Sequence, residues 1–166
     1  MAFVHRGSGW HPPMGLLKSI APRSPGRRVG AYAVRFGSAA EKDLEGDWFS
    51  PATDFGAVAG NGAPTLLNHG RPVSAALAKF ARVVGPTAKT EKDLSGIFAE
   101  TTLDESDPFQ AALLCLVEKG VLRWSSATTP TFLAKAPDGF IKRWIIVEFS
   151  FTAQPCEPRL PAIQLL

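Results

Sequence analysis

At 166 residues, with 45% hydrophobic and 20% charged side chains, the chain holds enough apolar material for one core and is too short to suggest two. Its two cysteines, Cys115 in an apolar run and Cys156 in Gln154-Pro155-Cys156-Glu157, lack a second ligand at metal-like spacing and read as reduced, buried or incidental thiols. No run approaches the ~18 apolar residues that span a bilayer, and no long apolar core precedes a small-residue cleavage site, so the expectation is a soluble intracellular protein.

The net charge of +3 is unevenly spread. Residues 1–28 carry Arg6, Lys18, Arg23, Arg27 and Arg28 and no acid, leaving 13 basic against 15 acidic side chains in the rest. This N-terminal arm, rich in proline and glycine, reads as poorly ordered, with non-specific attraction to a polyanion as its sharper alternative. By charge, the remainder is not a nucleic-acid surface. Residues 29–158 form the expected folded domain and 159–166 an apolar tail.

In chain order, Ala31 to Phe36 reads as a first strand, and Glu41 to Asp47 as a charged turn. Proline interrupts the aromatics of Trp48 to Phe55, which predicts a loop packed on the core. Gly56 to Pro64 is a glycine-rich connection into a short buried strand, Thr65 to Asn68, that ends at His69. From Arg71 a helical or irregular stretch is followed by a strand at about 80–87, a turn over Thr90 to Gly96, and a hairpin partner over Ile97 to Leu103. Asp107 as N-cap, Pro108 at the first helical position and Gln110 three residues after the cap start a helix that Gly120 ends. Phe109, Ala112, Leu113, Leu116 and Val117 form its expected apolar face.

Val121 to Trp124 then predicts a strand that delivers Ser125. Asp138-Gly139 marks a hairpin turn, and Phe140 to Thr152 reads as the longest strand. Within it Ile146, Glu148, Ser150 and Thr152 share one face, so Glu148 points away from the main apolar side. Pro155, Pro158 and Pro161 end regular structure.

Three separated residues suggest a chemistry. A serine hydroxyl needs a base within hydrogen-bond reach, and an imidazole base works best when a carboxylate fixes its tautomer. His69 is the one histidine outside the arm. Ser125 and Ser126 compete as nucleophile, because alternation lets only one share a side with His69. Glu148 is the candidate orienter, with Asp104 and Asp138 as other carboxylates for that role. Asp43, Glu45 and Asp47 have the composition of a metal loop but no further ligand at the required spacing, so they read as a solvated turn.

Read together, the segments resemble the prohead maturation proteases of tailed bacteriophages, serine proteases related to the herpesvirus assembly proteases. The resemblance runs from about Gly30 to Pro158. It rests on Tyr32-Ala33-Val34-Arg35-Phe36 with Asp43 to Phe49 and Thr53-Asp54-Phe55, on Leu67-Asn68-His69-Gly70, on Trp124-Ser125-Ser126, and on Glu148-Phe149-Ser150-Phe151-Thr152 with Pro155.

The resemblance implies an α+β fold, a herpesvirus-protease-like β-barrel or sheet core with surrounding helices. It implies His69 as general base, Ser125 as nucleophile and Glu148 as third member, with no cofactor and no metal. It also implies phage capsid and scaffold proteins as substrates, homodimerisation, no membrane partner, and action inside the assembling prohead in the host cytoplasm. The family often has glycine two residues after the nucleophile, where this chain has Ala127, which bears on the oxyanion hole. The rivals are a non-catalytic, protease-like protein of the shell and a nucleic-acid-binding module that uses the basic arm.

Overall fold

The apolar, β-branched and aromatic residues after Gly26 form β1 (Arg27–Arg35), which begins before the expected boundary at residue 29. The computed structural model describes residues 26–56, 62–71 and 83–166. The expected basic arm up to residue 25, the glycine-rich stretch 57–61 and the segment 72–82 lie outside them.

The remaining strands are β2 (Ala63–Leu67), β3 (Val83–Lys92), β4 (Gly96–Leu103), β5 (Arg123–Ala127), β6 (Leu133–Lys135), β7 (Ile141–Trp144), β8 (Glu148–Thr152) and β9 (Gln164–Leu165). Among the described residues there is one α-helix, α1 (Pro108–Glu118). The protein is mixed α+β, and mostly strand. Seven strands form one sheet in the order β5-β8-β2-β3-β4-β1-β9, and β6 and β7 form a separate ribbon. The pairing is antiparallel except between β2 and β8. The large sheet curls into a half-barrel that brings β1 against β5. A bulge at Ala33, between the pairs Tyr32 with Phe98 and Val34 with Ile97, adds local twist to β1.

Several expectations are corrected by tertiary partners. The 90–96 segment is not all turn, since β3 continues to Lys92. The turn is confined to Asp93–Ser95, where Asp93 Oδ1 accepts from the amides of Ser95 and Gly96. The expected long strand over 140–152 is broken at Ile145–Val147. Residues before the break pair with β6 and with the Trp48–Phe55 loop, and residues after it pair with β5 and β2. Thr128 Oγ1 donates to Ile145 O at 2.6 Å, and Val147 N–H to Ala127 O at 2.9 Å, which pins the crossing point. Alternation cannot reveal such a break, because the chain stays extended while changing sheets.

The helix has the expected cap: Asp107 accepts from the amides of Phe109 and Gln110. Its buried face is Leu113, Leu114 and Val117, whereas Ala112 and Leu116 are exposed, so the face is rotated from the one expected. Gln110 does not close a capping box on Asp107 but accepts from the Asp104 amide at 2.7 Å, tying α1 to the end of β4. Cys115, expected in the apolar run, is exposed on the outer side of this helix.

Proline-rich sequence after Pro155 does not release a loose tail. Leu160 and Ile163 are buried, Ile163 N–H donates to Leu122 O, and β9 pairs with β1. This segment closes the half-barrel between β1 and the start of β5. Replacing Ile163 with alanine is therefore expected to cost about 2–5 kcal/mol in equilibrium urea unfolding, while alanine at the partly exposed Leu165 should cost about 0.5 kcal/mol.

Candidate active site

β2 ends by running into a turn over Asn68–Gly70 that no regular strand or right-handed helix would make. Asn68 (φ 48°), His69 (φ 57°) and Gly70 (φ 66°) all lie in the left-handed region. Asparagine and glycine enter it readily, but for a residue such as histidine it costs roughly 1–2 kcal/mol. Two hydrogen bonds compensate. The His69 amide donates to Ser150 Oγ at 2.9 Å, and its ring Nδ1 lies 2.5 Å from Glu148 Oε1. With Nδ1 donating to the carboxylate, the assigned tautomer leaves Nε2 as the acceptor, the state a general base requires.

Glu148 opens β8 directly after the break, and every residue of β8 is buried. A carboxylate in such a place needs donors on both oxygens. Oε1 has the His69 ring, and Oε2 accepts from the Ser150 hydroxyl at 2.6 Å. Asp104 and Asp138, the other carboxylates considered, serve local turns: Asp104 Oδ1 takes Ser106, and Asp138 Oδ1 takes the Phe140 amide.

Both serines line the space beside His69, but register puts them on different faces of the sheet. Ser125 pairs across the strands with Ser150, and Ala127 pairs with Glu148, so Ser125, Ala127, Glu148 and Ser150 share one face of the sheet. Ser126 falls on the other face, where its Oγ accepts from Trp144 Nε1 at 3.2 Å. Residues paired in this way have Cβ atoms about 4.5–5.5 Å apart, which puts Ser125 one strand away from the serine that holds His69. Among the described residues, the His69 amide bonds Ser150 and its ring bonds Glu148, and no hydrogen bond joins His69 to Ser125. Ala127 sits in regular strand, its carbonyl taken by the Val147 amide and its methyl on the Ser125 face.

Two spaces meet at this pair. One, of about 440 Å³, is lined by His69, Ser125, Ala127, Trp144 and Glu148 and walled by the end of β1. The other, of about 660 Å³, shares His69 and Ser125 and extends toward Leu44, Arg123 and Gln154. Asp43, read from sequence as part of a solvated turn, organises its own loop by accepting from the amides of Glu45 and Asp47. Asp47 is buried and ion-paired with Lys135, whose ammonium that hydrogen bond holds above its ordinary pKa.

Cys156 lines both spaces, a position its sequence context did not signal, and it is the obvious competitor for nucleophile. Burial, and then the negative charges of Asp43 and Glu45, push its thiol up to about 11. Thiolate is the reactive form, so this environment keeps the sulfur in its less reactive protonated form. At pH 8 iodoacetamide should modify Cys156 about 100-fold more slowly than an ordinary exposed thiol, and the rate should climb with pH toward 11, as read by peptide mass spectrometry. Comparison of the chain with protein-family models, with curated proteins and with solved structures finds no match.

Proposed function

We propose that this protein is a serine endopeptidase that acts through a Ser125-His69-Glu148 triad. The observation that carries the reading is the 2.5 Å contact between His69 Nδ1 and Glu148, which leaves Nε2 as the acceptor beside the cleft that Ser125 lines. Ser125 attacks the scissile carbonyl while His69 takes its proton, and His69 later returns that proton to the leaving amine. The acyl-enzyme is then hydrolysed by the same base acting on water. Backbone amides near Ser126 and Ala127 bind the oxyanion. They lie on β5, an edge strand of the sheet, and an edge strand has ladder groups without a partner on its outer side. Space on both sides of Ser125 suits a chain that continues past the cleaved bond in both directions, as an endopeptidase requires.

The substrate class comes from the resemblance of the His69, Ser125 and Glu148 segments to phage prohead proteases. In this reading the protein trims capsid and scaffold precursors inside an assembling shell, and its half-barrel corresponds to a herpesvirus-protease-like core. A second reading, an inactive protease-like shell protein, is favoured by one observation: His69 is not hydrogen-bonded to Ser125. Hydrogen bonds of this kind often tighten only when substrate binds.

A fluorophosphonate probe, with mass spectrometry of the adduct, tests the choice. Labelling at Ser125 in the full chain, lost in Ser125→Ala and His69→Ala, is the expected result, and no labelling of the wild type would leave the second reading. In co-expression with the cognate capsid precursor, Ser125→Ala should lower turnover by about 10⁶ and Glu148→Gln by about 10⁴, with the fold retained by circular dichroism. Ala127→Gly, which removes the methyl on the Ser125 face, is expected to raise the rate of labelling.

A further inference from the structure

We infer that Ser150 is a positioning residue of this site, the group that fixes both the backbone and the ring of His69 at once. The inference deepens the triad reading and rests on it for its catalytic consequence. Its physical content is a closed ring of hydrogen bonds. The His69 amide donates to Ser150 Oγ, the Ser150 hydroxyl donates to Glu148 Oε2, and Glu148 Oε1 accepts from His69 Nδ1, returning to the residue where the ring began.

Each link constrains the next. A hydroxyl has one proton, and the one on Ser150 goes to the carboxylate because the other partner, an amide, can only donate. The direction of the ring is therefore set: the serine accepts from the backbone and gives to the acid. Glu148 then has one donor on each oxygen, which is what a buried carboxyl group needs in place of water. The left-handed backbone of His69 has no ladder partner of its own, and the bond to Ser150 is what anchors it.

Ser150 is fully buried in the middle of β8, paired with Ser125 on one side and with Leu66 on the other. It lines neither of the two spaces and its hydrogen bonds go to His69 and Glu148, so its effect passes through them. A serine placed there only for packing could be replaced by the near-isosteric alanine without disturbing the imidazole.

Proton and ¹⁵N nuclear magnetic resonance of the full chain, with imidazole signals assigned by comparison with His69→Ala, tests this without depending on catalysis. The hydrogen-bonded Nδ1–H signal of His69 is expected downfield in the wild type and in Ser125→Ala, and lost or broadened in Ser150→Ala. An unchanged signal in folded Ser150→Ala would overturn the proposal. If that variant does not fold, the wild type decides: a slowly exchanging Ser150 hydroxyl proton close to the His69 amide supports the ring, and fast exchange overturns it. In folded Ser150→Ala, fluorophosphonate labelling of Ser125 should slow about 10–100-fold, as for a mispositioned base. Absence of labelling in the wild type, with the resonance behaving as expected, would count against the hydrolase reading alone.

Discussion

The register of β8 is the constraint on which the site depends. This five-residue strand lies between β5 and β2, antiparallel to one and parallel to the other, and is buried along its whole length. Its odd-numbered residues Phe149 and Phe151 pack on Trp124 with ring centroids 6.0 and 4.5 Å away, which locks the apolar face. Burying each of these side chains is worth about 1.5–3 kcal/mol, far more than a strand of five residues gains from propensity. With that face fixed, Glu148 and Ser150 must point to the other. A slip of one residue would place both polar groups against Trp124 and both phenylalanines on the site, so the core enforces the geometry of the polar cluster.

The same strand explains how a polar cluster survives in a buried place. Unpaired, a carboxylate there would be strongly destabilising, and an unpaired hydroxyl or amide would cost about 1–3 kcal/mol. Glu148, Ser150 and the His69 amide satisfy one another instead. The cost of holding His69 in a left-handed backbone is offset within this group, and a histidine that strays from its rotamer or turn breaks more than one bond. The fixed position of the imidazole is thus a property of three residues, two from β8 and one from the turn that ends its parallel neighbour β2.

Access to His69 comes from incomplete closure of the barrel. The segment from Leu160 to Leu166 fills the seam between β1 and the start of β5, through Ile163 to Leu122 and Leu166 to Arg28. Beyond it the seam stays open, and there Ser125 and His69 are reached. The loop of Asp43 to Asp47 and the turn holding Cys156 form one wall, where burial first and acidic charge second keep the Cys156 thiol protonated. Trp144 forms part of the other, tied to the back of β5 through Ser126.

Local sequence determined the elements whose signals are local. The cap and proline of α1, the turn at Asp138-Gly139, the loop character of Trp48 to Phe55, and the alternation that sets Glu148 and Ser150 on one face are all legible, because backbone sterics and short-range hydrogen bonds act within a few residues. Gly139 shows the strictness of such a signal: φ is 92°, and a Cβ there would lie 2.2 Å from Gly46 O. The candidate residues His69, Ser125 and Glu148 were legible as residue types in family-like segments. Tertiary structure decided what those signals could not carry. It divided the 140–152 run between two sheets, turned α1 by its contacts, and built the apolar tail into the barrel. It also set Ser125, not Ser126, on the face that carries Glu148 and Ser150, brought Glu148 rather than Asp104 or Asp138 against His69, and closed the ring through Ser150. In each case the deciding interaction joins residues far apart in the chain, as His69 and Glu148 do, and period-two or period-3.6 patterning holds no information about which distant strand becomes the neighbour.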